Sequence, residues 1–273
     1  MPRDIIVPFG DTHCGSTLGL CTERVILSDE GEYRASKAQK ALLKFWLDTW
    51  ADIIRSLEPG DRLHVVANGD LVDGDHHGTP QIFTRRDVDQ ANVAIDLLAP
   101  IRNHAAELYV IAGTTSHVGI SAEKYIAQEL GAYGNAVLPK LELDVQGIRF
   151  FFAHHGPNPG GREHTLGDPI RRELRNEYLR AMRHGVDPAH YYAWSHYHQS
   201  PPPETITMMH KGKEHSMTGT VLPAWQLCTE YGHRVQKGAS ISHVGMRWYE
   251  VVDGVVTMRS EIDIRDETRR VKC

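Results

Sequence analysis

Three short apolar runs, residues 5–9, 63–67 and 108–112, alternate with stretches patterned for helices, and this order constrains the fold more than any other feature. After the first run, Leu42, Phe45, Trp46, Trp50, Ile53, Ile54 and Leu57 recur at helical spacing. Ser36 and Gln39 have the spacing of a capping box, and Pro59-Gly60 ends the segment. Further helices are expected across 88–106 and 122–130. A βαβαβα order predicts a mostly parallel sheet covered by helices. The pattern then changes. Residues 141–153 read as two strands around Gln146-Gly147, a helix follows across 169–182, and 191–194 is another strand. The last third is strand-rich, with a hairpin at Asp253-Gly254. Two sheets packed face to face with helices outside fit this order, as one domain spanning 1–273. Residues 14–35 show little periodicity and read as a long loop, of a length that is usually functional or an insertion.

Composition narrows the function classes. The four Cys (Cys14, Cys21, Cys228, Cys273) lack framework spacing, which reads as free thiols in a reducing cytoplasm. No charged start followed by a long apolar run marks a leader, and no apolar run reaches bilayer length, so a cytoplasmic location without membrane attachment is expected. The net charge of −5 gives no basic field for nucleic acid. Two bound divalent cations would reverse that field locally. The unusual number is 17 His.

Several of those His stand in tight motifs after the expected strands. "GDTHCG" holds Asp11 and His13, "GDLVDG" holds Asp70 and Asp73, and "GTTSHVG" holds His117. "FFAHHG" holds His154 and His155, and "SHYH" holds His196 and His198. Ligands of open α/β sheets bind outside the carboxyl ends of the strands, so residues far apart in sequence should meet on one rim. Imidazole with carboxylate suits Mn, Fe or Zn. The candidates are too many for one tetrahedral ion and enough for two.

In these motifs and their order the chain resembles the calcineurin-like metallophosphoesterase superfamily, whose pattern is D-x-H, GD-x-x-D, GNH[DE], a lone H, then GH-x-H. The resemblance implies a four-layer αββα sandwich of two mixed β-sheets flanked by helices. It implies a phosphoesterase with two metal ions, Mn first and Fe or Zn as options, attacking through a metal-bridging hydroxide. Asp11, His13 and His198 would hold one ion, His154 and His196 the other, and Asp70 would bridge both. His154 is preferred over His155 as the ligand that ends its strand, leaving His155 beside the ligands or facing substrate. His117 would contact the phosphate and assist the leaving group, with Asp73 orienting it.

Two departures matter. The segment from Gly113 to His117 is two residues longer than GNH, and the Asn that normally binds the second metal has no equivalent; Thr114, Ser116 or water is left to approach that ion. Gly74-Asp75 stand where protein phosphatases carry a phosphate-gripping Arg, which favours a phosphodiester, in nucleic acid (DNA or RNA) or a nucleotide. The alternatives are a phosphomonoesterase, for small molecules or proteins, and a non-catalytic metal-binding scaffold of the same fold.

Other features read more plainly. Asp70, Asp73 and Asp75 miss the alternate-residue rule of an EF-hand. His76 and His77 read as surface residues, with substrate contact the sharper option for His77. His64 lies within a strand as a core residue or one behind the ligands. Cys14 and Cys21 read as free thiols rather than metal thiolates. The arginines Arg171, Arg172, Arg175, Arg180 and Arg183, diluted by Glu173 and Glu177, read as a solvated helix face, with a track for a phosphate backbone as the sharper option.

Overall fold

The computed structural model describes residues 2–75, 81–160, 163–230, 232 and 241–266, without the side chains of 116–120, 163, 241 and 266. A six-stranded mixed sheet is built from β1 (Asp4–Phe9), β4 (Arg62–Ala67), β5 (Glu107–Ile111), β6 (Val137–Leu138), β12 (Ile241–Val252) and β13 (Val255–Asp266). Its order is β13-β12-β1-β4-β5-β6. The strands from β1 to β6 run parallel, and β12 closes the other flank antiparallel to β1. A five-stranded sheet orders β10 (Glu204–His210), β11 (Lys213–Val221), β9 (Tyr191–Trp194), β8 (Ile148–Ala153) and β7 (Leu141–Val145). Its centre is parallel and its edges are antiparallel hairpins.

Three apolar clusters define the layers. The first packs one face of the large sheet, through Ile5, Val7 and Phe9, against helices α1 (Lys37–Arg55), α2 (Asp87–Arg102) and α3 (Thr115–Glu129). The second lies between the sheets, where Ile6, Val66 and Ile111 meet Phe150, Phe152 and Ala193. The third covers the outer face of the small sheet with α4 (Asp168–His184), through Ile170, Leu174 and Tyr178. Period-2 alternation along β1 (Ile6 inward to the second sheet, Ile5 and Val7 toward the helices) is what lets one strand serve two cores. The result is the four-layer αββα sandwich.

Local rules explain most boundaries. The capping box forms as expected: Ser36 accepts from the Gln39 N–H while the Gln39 side chain returns to the Ser36 N–H. Trp46 and Trp50 of α1 pack edge-on against Phe9, with ring centroids 5.2 and 6.1 Å away. Segment 14–35 is not a bare loop: β2 (Arg24–Ile26) and β3 (Glu32–Arg34) form a small hairpin. Its base is anchored by fully buried Leu20 and Cys21. A three-residue strand is too short to give a periodic signal. Helix α3 starts at Thr115, seven residues before the expected start at 122. Gly119 and the β-branched neighbours there are weak helix formers, and Glu123 compensates by accepting the Gly113 N–H across 3.0 Å, tying the helix to the end of β5. His117 therefore sits in the first turn of a helix rather than in a loop.

Candidate metal centre

The registers deliver the motifs to one place. Phe9 pairs with Ala67 and Ala67 with Val110, so Asp11, Asp70 and Gly113 leave the large sheet side by side. Ala153 pairs with Trp194, so His154 and His196 leave the small sheet together. The two rims are clamped: His154 Nδ1 donates to the Asn68 carbonyl at 2.8 Å, and Asn68 Nδ2 donates to the Ala153 carbonyl and to Ser195 Oγ at 2.7 Å. The His196 N–H donates to Asp11 Oδ2 at 3.0 Å.

The close approach needs glycine. A Cβ on Gly69 would lie 2.7 Å from both the Gly113 Cα and His154 Nδ1, and one on Gly113 would lie 2.3 Å from Asp70 Oδ1. The functional side chains themselves hold a backbone conformation that L-residues rarely adopt. Asp11, His13, Asp70, His196 and His198 all have positive φ, between 43° and 80°. Residues held this way cost free energy and cluster at functional sites.

Six side chains converge. His13 Nδ1 bonds Asp73 Oδ1 at 2.9 Å, turning Nε2 toward His198 Nε2 at 3.2 Å and Asp11 Oδ1 at 3.8 Å. Asp11 Oδ1 also faces His198 Nε2 at 3.4 Å and His154 Nε2 at 4.0 Å. Asp70 Oδ2 lies 2.9 Å from His154 Nε2 and 3.9 Å from His196 Nδ1. Among the described residues, three groups could hold a metal ion: Asp11/His13/His198, Asp11/Asp70/His154 and His154/His155/His196. Asp11 Oδ1 is the oxygen common to the first two. It is buried and accepts no hydrogen bond, although imidazole nitrogens surround it. A buried carboxylate oxygen without a donor is costly, and the imidazole nitrogens around it are placed to share a cation with it. The donor set fits a bound metal.

Electrostatics agree. Burial alone would pull His13 down, but Asp11 and Asp73 push it up to about 10. Burial likewise opposes His154, which Asp70 and Asp11 raise to about 9. Burial would raise Asp11 and Asp70, yet the imidazoles hold both far below the usual carboxylate range. His155 is lowered, first by burial and then by His154 and His196. The carboxylates of the rim thus favour positive charge among the imidazoles.

Each sequence candidate among the described residues has a definite place. Asp11, His13, Asp70, His154, His196 and His198 meet on the rim. His155 joins them: its ring centroid is 4.4 Å from that of His196. Thr114 sits among them, its Oγ1 3.0 Å from Asp70 Oδ2. Asp73 supports His13, a partnership not anticipated from the motif. The side chain of His117, and His76 and His77 entirely, lie outside the described residues. His64 belongs elsewhere, bonding Asp4 at the far end of the sheet. Cys14 and Cys21 are free thiols, their pKa values raised by burial, and that of Cys21 is pushed up to about 12. Three supporting residues carry no motif that would reveal them. Gln226 donates to Asp73 Oδ1 at 3.2 Å. Glu123 braces Gly113, its carboxyl pushed up to about 7, chiefly by burial. Asn68 locks His154, and only its position before Gly69-Asp70 hinted at a role.

No family model and no curated protein matches this sequence. Among solved structures, the chain is similar to vacuolar protein sorting 29 from Cryptosporidium parvum, with 9% identity, TM-score 0.40, and coverage of 97% of this chain and 100% of that one. It is similar to a predicted phosphoesterase from Streptococcus pneumoniae TIGR4, with 10% identity, TM-score 0.36, and coverage of 96% and 99%. It is also similar to phosphopantetheinyl hydrolase from Mycobacterium tuberculosis, with 10% identity, TM-score 0.32, and coverage of 87% and 94%. At these TM-scores the likenesses carry no functional weight. The layer order and the meeting of the motifs on one rim are those implied by the resemblance to the calcineurin-like metallophosphoesterases.

Proposed function

We propose that this chain is a dinuclear metal-dependent phosphoesterase acting on phosphodiesters. The observation that carries the reading is Asp11 Oδ1, buried without a hydrogen-bond donor and ringed by His13, His154 and His198. Asp11, His13 and His198 would hold one ion; His154 and His196 would hold the second, with Asp70 as the bridge. When bound, such ions supply Lewis-acid polarisation of the phosphate and a water acidic enough to act near neutral pH.

The protein's own groups do the rest. Asp73 fixes the His13 ring through Nδ1, and the Asn68 carbonyl fixes His154 in the same way, so each presents Nε2. His117, in the first turn of α3, would protonate the leaving oxygen, the role that the motif implies for it. No Arg follows Asp73. The Gly74 N–H is taken by Gln90 Oε1 at 2.8 Å, and Asp75 pairs with Arg85 at the surface. A dianionic monoester thus lacks the cation that protein phosphatases offer it, which favours a diester in nucleic acid or a nucleotide.

The test is hydrolysis of bis-p-nitrophenyl phosphate beside p-nitrophenyl phosphate, by metal-stripped protein reloaded with Mn, Fe or Zn. The expected result is metal-dependent turnover with higher kcat/KM for the diester. A monoester preference would move the assignment to a phosphomonoesterase, and metal binding without turnover on either ester would leave a scaffold. Labelled DNA and RNA, with an Asp11→Asn control against contamination, test the nuclease option.

A further inference from the structure

The missing Asn leaves the second ion short of a donor, and the structure brings an unassigned imidazole to that spot. His155 follows directly on His154, and its ring centroid lies 5.0 Å from that of His154 and 4.4 Å from that of His196. The ligand atoms of these three His lie within 4.8 Å of one another. Thr114 Oγ1 lies 3.3 Å from His154 Nε2, 3.4 Å from His155 Nε2 and 3.2 Å from His196 Nδ1. Ligand atoms around a tetrahedral zinc with bonds of about 2.1 Å stand roughly 3.4 Å apart. Thr114 Oγ1 and the three imidazole nitrogens are thus spaced on the scale of atoms that share one coordination shell.

Resting on the metal-centre reading above, we propose that His155 is a metal ligand that takes the place of the absent Asn, giving the second ion a His154/His155/His196 triad beside Asp70. His155 is exposed, unlike buried His154, so its ring can turn to complete the shell from the solvent side. Two consecutive His can serve one ion here because the chain has left β8 at Ala153. The alternation that would send neighbours to opposite faces no longer applies. The change also alters metal preference. Replacing an amide oxygen by a third imidazole makes the site richer in nitrogen, which suits Zn²⁺ or Co²⁺ better than Mn²⁺. The Asp11/His13/His198 group lacks this third imidazole, so the two positions should differ in selectivity.

The experiment uses stripped full-length protein titrated calorimetrically with Zn²⁺ and with Mn²⁺, and spectroscopically with Co²⁺. Wild type is compared with His155→Ala, His155→Gln and His154→Ala. The expected result is two Zn²⁺ per wild-type chain. Both His155 variants should keep one site unchanged, lose at least tenfold in affinity at the other, lose its Zn²⁺-over-Mn²⁺ preference, and change the Co²⁺ absorption. If both His155 variants bind two ions with wild-type affinities and spectrum while His154→Ala loses one, His155 is not a ligand and the metal centre stands. If wild type takes up no ion, the metal-centre reading falls and this inference falls with it.

Discussion

Strand β1 has a buried aspartate at its start and another just beyond its end, and the fold treats them oppositely. Asp4 is saturated: His64 Nε2 reaches Oδ1 at 2.9 Å, and Arg62 and Gln146 each reach Oδ2 at 2.8 Å. Burial would raise its pKa, but those donors hold it below the ordinary value. Its backbone is regular strand. Asp11 has positive φ, one oxygen takes the His196 N–H, and the other takes none. Both ends place His beside Asp. Only one leaves a buried carboxylate oxygen without a donor, surrounded by further imidazoles on strained backbone. Buried Asp–His contact by itself therefore says little; the unfilled acceptor separates a site built for a ligand from a structural network.

The largest expected effect is on that contrast. Asp11→Asn should abolish esterase turnover and lower the metal content, while the stripped variant stays folded, because it keeps the side chain's shape and an oxygen to accept the His196 N–H. Retention of full metal content and near wild-type rate in Asp11→Asn would erase the distinction between the two ends.

His117 sharpens the active end. Its loss in His117→Ala should cost about 10²–10⁴ in rate for a poor leaving group. The cost should shrink for p-nitrophenolate, and metal content should not change. Loss of one ion with equal damage to both substrates would make His117 a ligand instead of a proton donor.

At the structural end, Asp4→Ala strips Arg62, His64 and Gln146 of their common acceptor. Urea unfolding should show a loss of about 1–3 kcal/mol, with metal stoichiometry intact. A metal deficit in that variant would mean the two ends are coupled.

The smallest effect is a pH dependence confined to the rim. His13 and His154 are raised from 6.5 to about 10 and about 9 in the stripped protein. A raised imidazole pKa contributes stability fully below pH 6.5 and loses it as pH climbs through the folded values. The Tm of stripped protein should thus fall between pH 6.5 and 9. Bound metal, which needs neutral imidazole, should flatten or reverse the trend. An identical pH profile with and without metal would detach these His from the metal site.

Much of this was legible in the sequence. The strand–helix alternation with the later change of pattern foreshadowed two sheets, and the order of the motifs foreshadowed the single rim. Each such feature is encoded locally, as a period, a cap or a strand end. The rest is set by elements too short for a period and by contacts beyond a segment's own turn or strand. The β2–β3 hairpin is too short for a period. The early start of α3 depends on Glu123 reaching back to Gly113, ten residues away. Gln226 finds Asp73 only because the chain returns to the rim after β11. His64 reads as a core residue or one behind the ligands; its place in β4 puts it beside Asp4, at the other end of the sheet.

The rim at Asp11 is expected to hold two ions. Anomalous diffraction from crystals of stripped protein reloaded with Zn²⁺ or Mn²⁺ tests it directly. The expected map has two peaks about 3.5 Å apart, one against Asp11, His13 and His198 and the other against Asp70, His154 and His196. A fully reloaded crystal with no peak within bonding distance of Asp11 Oδ1 would contradict it.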